Sequence, residues 1–278
     1  MVEQVAELGA WVAEGGVVVL SGAGLSTDSG IPDYRGPSGS ARRSTPMTFQ
    51  TFTRDPIARR RYWARSHLGW RTIGEARPND GHRAVARLQE QGAVGGIITQ
   101  NVDGLHQAAG ARDVVELHGN LARITCLACG AGTPREEISD RLDAANPQFA
   151  GVATAFNADG DAELADAALD GFVVVDCLAC GGLLKPDVVY FGETVPPERV
   201  SRSFDLVAGA RTLLVLGSSL TVMSGRRFVL RAVKLGIRVA IVNRGVTRGE
   251  PHARLVIDAP LGIVLPHLAR RSTTVSPG

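Results

Sequence analysis

All four cysteines of this 278-residue chain fall in two matching pairs, Cys126-Leu127-Ala128-Cys129 and Cys177-Leu178-Ala179-Cys180. A C-x-x-C turn presents two thiolates from one knuckle, and two such knuckles complete a tetrahedral zinc site. Glycine follows each knuckle (Gly130, then Gly181 and Gly182), as suits a backbone that wraps a metal. The competing readings are two thiol–disulfide motifs or two structural disulfides. A cytosolic setting disfavours the disulfides, and a redox C-x-x-C needs no twin. The 47 residues between the pairs (130–176) exceed the roughly 15–20 of an ordinary zinc ribbon, so the module carries an insertion. Four thiolates leave no open coordination position, so the expected single Zn²⁺ per chain holds structure and performs no chemistry.

The other chemistry-bearing residues come in short polar clusters. Ser21-Gly22-Ala23-Gly24-Leu25-Ser26 directly follows an apolar run, where glycines let backbone amides approach a phosphate. The third glycine of a G-x-G-x-x-G fingerprint would fall at Thr27, and no second strand ending in an acidic residue follows about 20 residues on. A nucleotide pocket is expected and a hydride-transfer enzyme is not; a turn used for packing alone is the alternative. Further along come Gly30-Ile31-Pro32-Asp33-Tyr34-Arg35, Gln100-Asn101-Val102-Asp103, Leu117-His118-Gly119, Lys185 through Glu193, Gly217-Ser218-Ser219, and Asn243-Arg244-Gly245. Most sit just past an apolar run, which in an open α/β sheet places them along the carboxyl edge where ligands bind.

The elements that must position these clusters are legible in the apolar pattern. Residues 2–13 carry helical spacing at Val5, Leu8 and Val12, and the runs at 17–20, 96–99, 213–216 and 239–242 read as buried parallel strands. Helical patterns at 82–90, 199–208 and 226–234 alternate with them. The expected fold is α/β: a doubly wound, parallel-sheet, Rossmann-like large domain over 1–36, 79–120 and 186–278. Its small lobe combines a mainly helical insertion at 37–78 with the zinc module at 121–185. Within the insertion, Arg59-Arg60-Arg61 reads as a solvated helix face, and Tyr62, Trp63 and Trp70 have helix-compatible spacing. Residues 157–170 are an Ala/Asp-rich middle of the zinc module, and 172–175 is a further strand-length apolar run.

Composition bounds the function classes. Hydrophobic residues make up 44% and charged residues 21%, which supports a folded core. Glycine is high, 33 of 278 or about 12% against a usual ~7%, without a collagen period. A net charge of +2 gives no electrostatic case for direct nucleic-acid or membrane-surface binding. No run approaches the ~18 apolar residues of a membrane span, and the first 30 residues lack Lys and Arg, so a cytoplasmic, unprocessed protein is expected.

Taken together, these motifs resemble the sirtuin family of NAD-dependent protein-lysine deacylases, over roughly residues 10–268 and in the family's order. Gly-Ile-Pro-Asp-Tyr-Arg at 30–35, Arg61-Tyr62-Trp63-Ala64-Arg65 and the run from Lys185 to Gly192 resemble the class II branch, which includes mitochondrial sirtuin 4. The resemblance implies that Gly22, Ala23, Gly24 and Ser26 line the pyrophosphate of NAD, with Asp33, Tyr34 and Arg35 on a loop over the nicotinamide half. It implies that Gln100, Asn101, Val102 and Asp103 hold the nicotinamide ribose and carboxamide. Gly217, Ser218, Ser219, Asn243, Arg244 and Gly245 then contact the adenosine half, with Leu261 near the last adenine contact. Val189, Tyr190, Phe191 and Gly192 pair with the backbone of an acyl-lysine protein substrate.

In the chemistry so implied, Asn101 and Asp103 favour departure of nicotinamide, and the acyl oxygen traps the ribose carbon. His118, with a pKa near neutral, takes a proton from the ribose hydroxyls. The products are nicotinamide, free lysine and 2′-O-acyl-ADP-ribose. Tyr62 and Arg65 have the Tyr-x-x-Arg spacing that binds acyl carboxylates in one branch, so acidic or branched acyl groups stand beside acetyl; packing of Tyr62 and solvation of Arg65 is the alternative. Mono-ADP-ribosyl transfer, a non-catalytic NAD-sensing zinc protein and a zinc nucleic-acid module are the competing functions. The oligomeric state is left open.

Overall fold

The computed structural model describes residues 1–33, 46–149, 155–156, 162–163 and 171–271. In chain order its strands are β1 (Val17–Ser21), β2 (Val94–Thr99), β3 (Val114–Glu116), β4 (Gly119–Cys126), β5 (Gly132–Pro134), β6 (Ala155–Phe156), β7 (Ala162–Glu163), β8 (Leu184–Val188), β9 (Thr212–Leu216), β10 (Arg238–Asn243) and β11 (Leu255–Asp258). Its α-helices are α1 (Val2–Ala13), α2 (Phe49–Arg54), α3 (Pro56–Glu75), α4 (Asp80–Glu90), α5 (Leu105–Ala108), α6 (Arg135–Ala145), α7 (Pro197–Ala208), α8 (Met223–Lys234) and α9 (Leu261–Arg271).

Six strands form one parallel sheet in the order β11-β10-β9-β1-β2-β3. Every residue of β1 is buried because helices cover both faces. Alternate side chains leave on opposite sides: Val17 and Val19 join Leu8, Val85 and Leu265 under α1, α4 and α9. Val18 and Leu20 join Val207 and Phe228 under α7 and α8. The fold is thus the Rossmann-like α/β architecture expected.

Local sequence sets where the covering helices begin. Asn79 accepts from the amides of Gly81 (2.9 Å) and His82 (3.2 Å), capping α4. Asp55 does the same for Ile57 (2.9 Å) and Ala58 (3.0 Å), with Pro56 at the first position of α3.

The small lobe combines the helical insertion, α2 and α3, with α6 and the antiparallel sheet β5-β4-β8 that carries the cysteines. Phe52, Tyr62, Trp63, Ile124, Phe172 and Leu184 share one apolar cluster there. Arg135 of α6 is fully buried, its guanidinium 5.2 Å from the Trp63 ring and 5.7 Å from the Trp70 ring, which ties α6 to α3.

The strand-length apolar run at 172–175 forms no strand; the Asn146 side chain bonds both backbone groups of Val173 (2.6 and 2.9 Å). Two features differ from the sequence reading. The short outer strands β3 and β11 were not anticipated. Arg59 is not simply solvated: it donates to the Phe52 carbonyl at 2.8 Å, capping the end of α2. Tyr34, Arg35 and most of residues 157–170 lie outside the described residues. No described helix is long and apolar enough to cross a membrane.

Candidate active site

Chain order in the large sheet reverses between β1 and β9, and the crevice beyond their carboxyl ends is where such sheets bind ligands. The loops leaving the two strands touch there. Gly22 donates its amide to the Leu216 carbonyl and Gly24 to the Gly217 carbonyl, both at 2.9 Å. Gly217 has φ +60°, and a Cβ on it would lie 2.6 Å from the Leu25 nitrogen. Packing and ligand approach therefore both act on these glycines: side chains would separate the loops and fill the floor of the crevice. The resulting cavity measures about 1020 Å³.

At one end of the cavity, β2 delivers Gln100, Asn101 and Asp103. Asn101 Nδ2 donates to the Gly22 carbonyl (3.1 Å) and to Ser26 Oγ (3.0 Å), and Ser26 Oγ donates to Asp103 Oδ2 (2.7 Å). The Leu105 amide takes the other Asp103 oxygen at 2.9 Å. Burial pushes the Asp103 carboxyl above its ordinary pKa, although these hydrogen bonds pull the other way. Gln100 Nε2 donates to Ser218 Oγ at 2.9 Å, linking this end to the β9 loop.

His118 sits between β3 and β4. Its Nδ1 lies 3.0 Å from the Gln100 carbonyl, which can only accept, so Nδ1 carries the proton and Nε2 keeps the lone pair. Nε2 lies 2.8 Å from Ser224 Oγ. Burial, with the Arg227 and Arg199 charges adding to it, holds the imidazole down at about 4, against the near-neutral value expected from sequence. The ring is therefore a neutral base across the physiological range. Gly119 follows with φ +88°, and a Cβ there would overlap the Asp187 carbonyl. Only glycine lets β8 close against β4 and bring Val189 to donate its amide to the His118 carbonyl at 2.9 Å.

The cavity lining gathers most of the expected residues: Gly22, Ala23, Gly24, Ser26, Asp33, Gln100, Asn101, Val102, Asp103, His118, Gly217, Ser218, Ser219, Asn243, Arg244 and Gly245. Val189, Tyr190, Phe191, Gly192 and Tyr62 line it too. Arg65 falls outside the lining, and Leu261 packs into the core beneath α9. Asp258, at the end of β11, stands on that side instead and accepts from the Gly245 amide at 3.2 Å. Ser224, Arg227 and Asp258 were missed in the sequence; Ser224 lies seven residues past Gly217 and two residues before the helical pattern at 226–234, whose observed helix starts earlier, at Met223. Phe191 is anchored from the small lobe, its carbonyl accepting from the Phe49 amide at 3.0 Å.

A dinucleotide fits this cavity. The volume is at the upper end of small-molecule sites, and glycine backbone and uncharged hydroxyl and amide groups line it together with the carboxylates of Asp33, Asp103, Glu193 and Asp258. The four cysteine sulfurs fit zinc equally well. All lie within 4.8 Å of one another, with Cys126–Cys180 at 3.6 Å and Cys129–Cys177 at 3.8 Å. Tetrahedral thiolates around Zn²⁺ stand about 3.8 Å apart, whereas disulfide sulfurs stand about 2.05 Å apart.

Comparison with known proteins agrees with this architecture. The sequence profile of the Sir2 family matches residues 22–224, and the chain belongs to that family. It is 61% identical over 257 residues to NAD-dependent protein deacetylase 1 of Streptomyces coelicolor, covering 92% of this chain and 86% of that one. It is 51% identical over 270 residues to NAD-dependent protein deacetylase 1 of Mycobacterium avium, covering 95% and 94%. A solved Sir2 complex with a p53 peptide and NAD⁺ superposes with a TM-score of 0.74 at 30% identity, covering 95% of both chains.

Proposed function

We propose that this protein is an NAD-dependent protein-lysine deacetylase. The observation that carries the reading is that the cavity at the sheet's switch point holds the Asn101–Ser26–Asp103 network and a neutral His118 together.

NAD, when bound, supplies an electrophilic sugar carbon with nicotinamide as its leaving group. Asn101 and Asp103 orient that half of the cofactor, with Ser26 bonded to both side chains and fixing them in register. Asp33 lines the cavity on the nicotinamide side. Gly22, Ala23 and Gly24 keep the backbone bare along the pyrophosphate. Gly217, Ser218, Ser219, Asn243, Arg244 and Gly245 hold the adenosine half, and Asp258 takes the place expected of Leu261. Val189 to Gly192 receive the substrate backbone. His118 accepts the ribose proton at Nε2, while Nδ1–H stays on the Gln100 carbonyl and steadies the charge that develops. The products are free lysine, nicotinamide and 2′-O-acyl-ADP-ribose. Cys126, Cys129, Cys177 and Cys180 hold one structural zinc. The domain division at 1–36/79–120/186–278, 37–78 and 121–185 and the class II assignment are part of the same proposal.

The acyl range centres on acetyl and other uncharged groups. Tyr62 lines the cavity and Arg65 is not among the described lining residues, which favours uncharged acyl groups over a Tyr62–Arg65 carboxylate clamp. Nicotinamide release measured with NAD⁺ and acetyl-, propionyl-, succinyl- and lipoyl-lysine peptides tests this reading. Release that requires an acetylated peptide supports it; release without any acyl peptide replaces it with ADP-ribosyl transfer or hydrolysis.

A further inference from the structure

We propose that Ser224 is a positioning residue for His118: its hydroxyl donates to Nε2 and holds the ring with that nitrogen toward the cavity. The proposal rests on the reading of His118 as the base.

The hydrogen-bond roles follow from the partners. The Gln100 carbonyl fixes the proton on Nδ1, so the short 2.8 Å contact at Nε2 requires Ser224 to be the donor. A hydroxyl on one nitrogen and a carbonyl on the other clamp the imidazole from both ends. Both ends of the clamp are themselves held. Ser224 is the second residue of α8, and the next residue, Gly225, lies so close to Gln100 that a Cβ on it would stand 2.4 Å from Oε1. Gln100 Nε2 is bonded in turn to Ser218 Oγ. The start of α8 is thereby pressed onto the residue that also carries the carbonyl partner of His118, so the donor and acceptor of the clamp move as one unit.

Nε2 has one lone pair. A substrate hydroxyl that gives its proton to Nε2 must therefore replace the Ser224 hydroxyl, which acts as a stand-in for it in the free protein. The Ser224 bond favours the neutral ring, as do the charges acting on it, Arg227 on α8 and Arg199 on α7, the latter ion-paired with Asp187 at 2.9 Å. Losing one neutral hydrogen bond to the unprotonated nitrogen raises the titration midpoint by about half to one pH unit.

The test is a ¹⁵N NMR titration of the histidine rings in the free full-length protein, for wild type, Ser224→Ala and Ser224→Thr, with His118→Tyr assigning the signal. Ser224→Ala is expected to move the His118 midpoint up by that amount, while the Nδ1–H tautomer, fixed by the Gln100 carbonyl, persists at pH 7. Ser224→Thr, which keeps the hydroxyl, is expected to restore the midpoint. An unchanged midpoint in a folded Ser224→Ala protein would overturn the proposal. The readout needs neither NAD nor turnover, so it stands or falls separately from the deacetylase assay. In that assay, Ser224→Ala is expected to lower kcat more than it raises KM for NAD⁺ and to move the acid limb of kcat/KM upward; a pure KM effect would contradict positioning.

Discussion

The Gly24 amide donates to the Gly217 carbonyl at 2.9 Å, so the two loops that form the cavity floor are bonded to one another backbone to backbone. Gly217→Ala meets two obstacles, its φ of +60° and a backbone nitrogen 2.6 Å from the new Cβ. A loss of roughly 2–4 kcal/mol and of NAD⁺ binding is expected. Gly30→Ala is the control: φ is +83° but nothing lies within 4 Å, so only about 1 kcal/mol should go. Urea melts and calorimetric NAD⁺ titration of the two variants separate the cases.

The cysteine cluster predicts one zinc per chain by elemental analysis. Cys177→Ser should abolish stoichiometric zinc and lower the melting temperature, and a strong chelator should do the same to the wild type. Full zinc content in Cys177→Ser would show that the four sulfurs do not act as a set.

Acid should destabilise the protein before its carboxylates titrate. Burial lowers His82 to about 4, His106 to about 3 and His118 to about 4 in the folded state. Between the unfolded value near 6.5 and these folded values the unfolded chain binds more protons, so stability falls as pH drops. The slope is up to ~1.4 kcal/mol per pH unit for each group. Asp103, raised by burial, acts in the opposite sense, losing stability as pH rises through its shifted range. Urea midpoints that decline steadily from pH 7 to pH 4.5 are expected; a flat profile would contradict the burial of the three rings as neutral groups.

Acyl preference follows from the cavity lining. Arg65→Ala should leave the ratio of acetyl to succinyl turnover within about twofold, because Arg65 lies outside the lining. A selective loss of succinyl turnover would bring Arg65 back as a carboxylate partner.

Much of this architecture was legible in the residues. The runs that became β1, β2, β9 and β10 are continuous and apolar because helices cover both faces, which is the strongest strand signal a parallel sheet offers. The knuckle spacing carried the zinc site. What escaped was decided by three-dimensional neighbours. β3 is a three-residue edge strand with too little pattern to register. The lowered pKa of His118 depends on burial that no motif encodes, and Ser224 matters only because α8 begins against Gln100. Leu261 sits at the right place in the chain, but the inward face of α9 carries it into the core.

The most direct test of the central claim is a single-turnover reaction of the purified protein with NAD⁺ and an acetyl-lysine peptide, followed by mass spectrometry. Wild type should give deacetylated peptide, nicotinamide and O-acetyl-ADP-ribose in equal amounts. His118→Tyr, folded and carrying its zinc, should give at least about 100-fold less of the acetylated product. Equal yields from the two proteins would contradict the assignment of His118 as the base.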